Sequence, residues 1–177
     1  MKAPARFHPS GAKNERLAPL VARLPLLEHG GLVVRVQRFH QAVNETFFTT
    51  GWQTHPHHEL AFIRGGVMRY EGRLRGGVFR TDAGPGQSVL IPPGVEHRRT
   101  AVRLPGVIDG WHLQITALTR EGQPLLKGLQ EASLAGKFRV RPAAGMVDSL
   151  AGLDGELSAP GPFTEARLSS LLLSLTL

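Results

Sequence analysis

From Gly31 to about Leu118 the chain alternates short β-branched or aromatic runs with glycine and proline breaks: GLVVRVQRF, ETFFTTGW, ELAFI, GVMRYEG, GGVFRTD, SVLIPP and GVIDGWHLQITAL. Runs of this length between turn residues predict an antiparallel sandwich or barrel. After Pro124 the period changes. Met146, Val147, Leu150, Leu153 and Leu157 recur at three- and four-residue steps, and so do Leu168, Leu171, Leu172 and Leu175 beyond the break SAPGP. That spacing predicts two helices following the β region. Ahead of it, residues 1–30 are rich in Pro, Ala and Arg and read as an N-terminal arm, with a short helix at 14–24 before Pro25. The expected organisation is one structural domain: arm 1–30, β-barrel 31–120 and helical segment 121–177.

A chain of 177 residues is long enough to bury a core without staples. It contains no cysteine, which excludes disulfides, thiolate metal sites and a cysteine nucleophile together. Any metal must therefore sit on His and carboxylate ligands. No run of roughly 18 apolar residues occurs, and the basic start MKAPARFHPSGAKNERLAPL lacks the apolar stretch of a secretory signal. The expectation is a cytoplasmic protein with no membrane span. The net charge of +7 permits an acidic partner. Between Arg64 and Arg103 stand eight arginines against three acids, Glu71, Asp82 and Glu96. Without aromatic interleaving or a helix-turn-helix spacing, this stretch reads either as a solvated hairpin face or as a surface for an anion.

Chemistry concentrates in THPHHEL, where three histidines and a glutamate occupy five positions. If ELAFI continues a strand begun near Thr54, the two-residue period puts His55, His57 and Glu59 on one face and His58, Leu60 and Phe62 on the other. About forty residues later Ser88–Ile91 reads as a strand, Pro92-Pro93-Gly94 as its turn, and His97 follows. In a small barrel His97 can meet the first three. The imidazoles of His55, His57 and His97 and the Glu59 carboxylate around an open position suit one divalent ion such as Zn, Ni, Fe or Mn. The same histidines can also be structural, and Glu59 can be a ligand, a residue that orients a histidine, or the partner of an arginine. Trp111 and His112 face opposite ways on one strand, so one of them should enter the barrel. Arg64 and Tyr70 are candidate pocket-lining residues beside them.

GQSVLIPPGVEH resembles the second cupin motif through Gly86, Pro92, Gly94 and His97, and HPHHELAFIRGG resembles the first. The cupin resemblance implies a double-stranded β-helix, or jelly-roll barrel, followed here by the two C-terminal helices. In the metal-binding pattern the glutamate falls four or five residues after the second histidine, whereas Glu59 is two after His57, and an expected asparagine is Ala101. A histidine-rich start, then EL, an aromatic, a glycine-containing hairpin and IPPGVEHR is more similar to the effector-binding domain of AraC-type transcription regulators. That resemblance implies a binding module and not an enzyme. A small-molecule effector would lie in the barrel against His55, His57, Glu59, His97, Trp111, Tyr70 and Arg64, and DNA would be contacted only through a helix-turn-helix domain absent from this chain. The alternative is a small metal-dependent cupin enzyme, an isomerase or dioxygenase. The last helix, ending LLLSLTL without cap or polar tail, reads as cut. Six leucines in its last ten positions exceed what one helix face can hide, so a homodimer through residues 163–177 is expected.

Overall fold

The computed structural model describes residues 11–24, 26–140, 145–159 and 161–174. Two long strands dominate it, β3 (His58–Leu74) and β6 (Glu96–Ala117). They pair antiparallel twice, residues 58–65 against 107–113 and residues 67–73 against 96–103, with register shifts between Ile63 and Met68. At the bend Gly66 has φ +73°, and a Cβ there would lie 2.3 Å from the Arg103 carbonyl oxygen. Only glycine fits that corner.

The remaining strands extend the two halves. β2 (Leu32–Asn44) pairs with the second half of β6, and β1 (Leu27–His29) with β2. β4 (Gly77–Ala83) pairs with the second half of β3, while β5 (Ser88–Ile91) pairs with its first half and carries the two-residue β7 (Arg139–Val140) on its other edge. The result is the expected mainly β, antiparallel class with helices at its C-terminal end.

Alternation along these strands separates two cores. Ala61, Ile63, Met68, Tyr70 and Ile108 face inward and are all 1% exposed or less. Phe39, Phe62, Trp111 and Leu113 face the other way, under a layer of helices. That layer contains α1 (Gly11–Arg23), α3 (Met146–Ser158) and α4 (Thr164–Ser174). Leu17 of α1, Leu150, Leu153 and Leu157 of α3, and Leu168 of α4 are buried in it. A further helix, α2 (Gly122–Ala135), brings buried Ser133 to the Leu90 carbonyl, to which its hydroxyl donates at 2.5 Å.

Several expectations change at this point. Residues 11–23, read as part of an arm, contribute Leu17, Leu20 and Val21 to the helix-side core. Trp111, a candidate wall for a ligand, is fully buried in that same core with its ring 5.1 Å from Phe39. Arg64 is also on the outer side, because it stands an even number of residues from Leu60 and Phe62. Its guanidinium donates to the carboxylates of Asp109 on β6 and Asp154 on α3, and at 3.3 Å to the Leu150 carbonyl. It ties the helix layer to the sheet and does not line the barrel. Of the helix expected to dimerise, Leu168 and Leu171 pack on this chain's own core; the side chains of Leu172 and Leu173, and all of Leu175 and Leu177, lie outside the described residues.

The arginine-rich stretch is laced with its own acids. Arg69 holds Asp82 in two bonds of 2.8 and 2.9 Å, Arg73 holds Glu96 at 2.8 Å, and Glu71 accepts from both Arg80 and Arg98. Arg73 and Arg98 also lie over the Trp52 ring, 4.0 and 4.7 Å from its centroid. All three acids of that stretch are engaged, which is the pattern of a solvated ionic face.

Asp109 is fully buried and shares its carboxylate between Arg64 and the Gln41 amide, 3.0 Å away. Replacing Arg64 by methionine would leave that carboxylate without its cation. Urea unfolding of Arg64→Met should show a loss of about 3 kcal/mol, and adding Asp109→Asn to the same chain should recover part of it. Equal stability of wild type and Arg64→Met would show that the ion pair does not tie α3 to the sheet.

Candidate metal and ligand site

The chain segment before β3 is fixed by backbone bonds, and these position the first ligand. Residues Thr49 and Gln53 bridge antiparallel to Thr100 and His97. The Gln53 and His97 amides each donate to the other's carbonyl, at 2.9 and 3.0 Å. The Gly94 amide, at the end of the Pro-Pro-Gly turn with φ +75°, donates to the His55 carbonyl at 3.0 Å. The turn therefore does more than reverse the chain: it pins His55 beside His97. Glu59, on β3 between Ile91 of β5 and His112 of β6, points to the same place. One ligand atom each from His55, Glu59 and His97 lies within 4.8 Å of the others.

Hydrogen bonds fix the orientation of both imidazoles. His97 Nδ1 donates to the Val95 carbonyl at 2.9 Å, and the Gln53 amide nitrogen lies 3.2 Å from His97 Nε2. The same Nε2 lies 3.6 Å from Glu59 Oε2. His55 Nδ1 donates to the His57 carbonyl at 3.1 Å, while its Nε2 lies 3.1 Å from the same Glu59 Oε2. Both nitrogens of His55 face acceptors. Its hydrogen bond to Glu59 raises its pKa accordingly, against the opposing effect of burial. Glu59 is 4% exposed. Burial alone would raise its carboxyl, but the imidazoles of His55 and His97 and the Arg99 charge, 3.7 Å away, hold it well below the usual carboxylate range.

A divalent ion can replace the shared proton. Bonds of about 2.1 Å from imidazole and carboxylate put ligand atoms roughly 3.0 to 3.4 Å apart; the two histidines lie 3.1 and 3.6 Å from Glu59 Oε2, and all three ligand atoms are within 4.8 Å of one another, so binding draws them together. Both histidines have Nδ1 anchored to a backbone carbonyl and Nε2 turned to the common point, the arrangement that holds a metal-binding imidazole in place. Two imidazoles and one carboxylate, with open positions, fit the donor set of Zn, Ni, Fe or Mn.

His57 is not the third imidazole of this set. Its ring stacks flat on His55, centroids 4.1 Å apart and planes within 2°, so it walls the site instead of pointing into it. His112 continues the stack 4.3 Å beyond His57, and His40 meets His112 edge-on at 5.7 Å. Of the pair Trp111 and His112, it is His112 that enters. His40 fits only because residue 110 is glycine: a Cβ there would lie 2.4 Å from the His40 ring. Burial lowers His40 and His112 to a pKa of about 4. Burial and the neighbouring His55 charge lower His57 as well. At neutral pH His40 and His112 are therefore uncharged.

The structure thus brings together His55, Glu59 and His97, sets His57 beside them and places Tyr70, fully buried, in the same inner core. Arg64 and Trp111 are elsewhere. Sequence reading passes over His40, Arg99 and Gln53. Arg99 is two residues from His97 and so shares its face, a signal available from the strand period alone. His40 is recognisable only once the register sets it against Gly110.

No protein-family model matches the chain, and no curated protein does. Solved structures that resemble it include the CENP-C cupin domain of Drosophila melanogaster, with 9% identity over 52% of this chain and 71% of that one and a TM-score of 0.40. An oxalate decarboxylase of Bacillus subtilis matches with 13% identity over 63% of this chain and 30% of its own, TM-score 0.37. A Neisseria meningitidis protein matches with 19% identity over 51% and 81%, TM-score 0.36. None of these similarities places the chain in a family.

The buried histidines make stability depend on pH. His40 and His58 are 6% and 1% exposed and protonate in the fold only near pH 4, whereas in the unfolded chain they do so near 6.5. Between those values the unfolded state binds more protons, so stability falls as pH is lowered from 7, by about 1 kcal/mol for each ring at pH 5.5. His55 has the opposite sign: its contribution is present below pH 6.5 and is lost as pH rises through its raised pKa. His112, also lowered to about 4, adds a third loss on the acid side against this one gain. Melting curves of the metal-free protein should fall between pH 7 and 5.5, and His58→Phe should flatten that fall; a rise on acidification would contradict the assignment of these rings as neutral.

Proposed function

We propose that this chain is the ligand-sensing and dimerisation domain of an AraC-type transcription regulator, built on a cupin-type barrel. A small-molecule effector binds beside a divalent ion held by His55, Glu59 and His97. The observation that carries this reading is that the site and the helix layer share the same strands. Glu59 faces inward opposite His112, while three residues along the ladder Phe62 faces Asp109, the outward residue that Arg64 joins to α3. A ligand that shifts β3 or β6 by a few tenths of an ångström acts directly on the seat of α3 and α4. Such helices are where the motif resemblance puts the subunit contact, here through residues 163–177. DNA is read by a separate helix-turn-helix domain, and the work is done in the cytoplasm. Among the described residues, no helix is long and apolar enough to cross a membrane.

A second reading is supported by one feature. Two histidines and a carboxylate around open positions would also serve a metal-dependent isomerase or dioxygenase. In that case a bound metal would polarise a substrate oxygen, while Glu59, His55 and His97 would hold it and the His57–His112 stack would exclude water from one side.

Metal uptake and helix response separate these ideas from a purely structural cluster. Titration with Zn(II) should give one ion per chain in wild type. Glu59→Gln and His97→Ala should each weaken binding at least tenfold, and His57→Ala much less, since its ring is not a ligand. In the sensor reading, hydrogen exchange across 146–158 slows on metal or effector binding, and Arg64→Met abolishes that change without altering uptake. Unchanged uptake in Glu59→Gln/His97→Ala would remove the site. Unchanged exchange in the helices on saturation would remove the sensor.

A further inference from the structure

The outer face of the sheet, at the hairpin end away from the helix layer, carries charge that its own acids do not cancel. Register sets three rows across β4, β3 and β6: Asp82–Arg69–Thr100, Arg80–Glu71–Arg98 and Val78–Arg73–Glu96. Arg139 of β7 reaches the first row, where its Nη2 donates to the Asp82 carbonyl at 2.8 Å. Five arginines therefore stand against three acids, and two positive charges are left over. Guanidinium stays protonated at any ordinary pH, so this surplus depends on no histidine and on no metal.

Pairing decides where the surplus lies. Arg73 and Glu96 cancel. Glu71 is shared between Arg80 and Arg98. Asp82 is bonded twice by Arg69 and feels the Arg139 charge as well, and among the described residues no carboxylate forms an ion pair with Arg139. Each of these two acids thus has two arginines and cancels one. Arg69, Arg80 and Arg139 line a single cleft of about 420 Å³, with Thr81 and Asp82. Arg80 spends its Nε on Glu71; among the described residues nothing accepts from its Nη groups, and its side chain is 67% exposed. Those donors are open to an acceptor arriving from solvent.

The lining selects the occupant. Small-molecule sites are mostly apolar and enclosing, whereas no apolar side chain lines this cleft. Guanidinium forks match phosphate oxygens two at a time, and duplex DNA offers one negative charge for about every 1.7 Å of its axis. We infer that this face, centred on the cleft of Arg69, Arg80 and Arg139, binds the phosphate backbone of duplex DNA without regard to sequence. Such contacts position a protein on the duplex and carry no sequence information themselves, so they complement a separate domain that reads the bases. The choice of DNA as the source of phosphate rests on the regulator reading above; the charge surplus does not.

Fluorescence anisotropy of the whole chain with a labelled DNA duplex, and with a second duplex of shuffled sequence, tests this. The two should bind equally, and affinity should fall roughly tenfold between about 50 and 200 mM salt, the dependence expected of two phosphate contacts. Arg139→Gln should reduce the salt slope by about one contact. Arg120→Gln removes the same net charge at an exposed position off this face and should leave the slope unchanged. Asp82→Asn adds positive charge to the cleft and should tighten binding, a gain that misfolding does not produce. Poly-glutamate and inorganic phosphate should not displace the duplex. Displacement by poly-glutamate as effective as by unlabelled duplex would assign the face to an acidic protein, and displacement by millimolar phosphate would assign the cleft to a small anion; either overturns the proposal. So does a salt slope that Arg139→Gln and Arg120→Gln change alike. Failure of the wild type to bind the duplex overturns it too, and leaves the sensing reading to its own test in the exchange of 146–158.

Discussion

A carboxylate that is 4% exposed stays ionised only if donors or cations surround it, and Glu59 imposes that condition on the rest of the inner face. Its neighbours are the ones required. His55 and His97 arrive from outside β3, the first held by the Gly94 amide and the second by its backbone pair with Gln53. Arg99 comes from the next inward position along β6. Each imidazole has one nitrogen committed to a backbone carbonyl, so the other has no choice of direction. What results is two imidazole Nε2 atoms turned to one carboxylate oxygen, a geometry that suits a shared proton or a metal ion.

The outer face of the same strands is organised by a second buried charge of the same kind. Asp109, with no exposed surface, is reached by Arg64, and Arg64 also reaches Asp154 of α3. The leucines of α1, α3 and α4 supply the apolar area, at roughly 1.5 to 3 kcal/mol for each fully buried side chain, but apolar contact alone does not fix where a helix sits along a sheet. The ion pair does. Because Phe62 pairs with Asp109 and Glu59 with His112, the two charged centres are three residues apart on opposite faces of one ladder.

Much of this was legible beforehand. Alternation across ELAFI put Glu59 opposite in facing to Leu60 and Phe62, and the strand 88–91 with its Pro-Pro-Gly turn fell where the spacing set it. The helices 146–158 and 164–174 followed from leucine steps. What was not legible depended on register. Arg64 looked like a pocket residue because it stands near the histidines in sequence, but parity places it with Leu60 and Phe62 on the helix side. Trp111 and His112 could not be told apart until β6 was paired. His57 shares the histidine run yet stacks on His55, because β3 begins only at His58 and the two-residue alternation does not extend back through Pro56. The burial of Leu17 against β2 and α4 is a tertiary contact that no local pattern in an alanine- and arginine-rich segment announces.

In the proposed metal-binding point the ligands are His55, Glu59 and His97, and not His57. X-ray absorption at the zinc or nickel edge of the loaded protein tests it most directly. The account predicts a first shell containing two imidazoles and at least one carboxylate oxygen, unchanged in His57→Ala and reduced by one imidazole in His97→Ala. A shell of oxygens only, or one that loses an imidazole in His57→Ala and keeps both in His97→Ala, would contradict it.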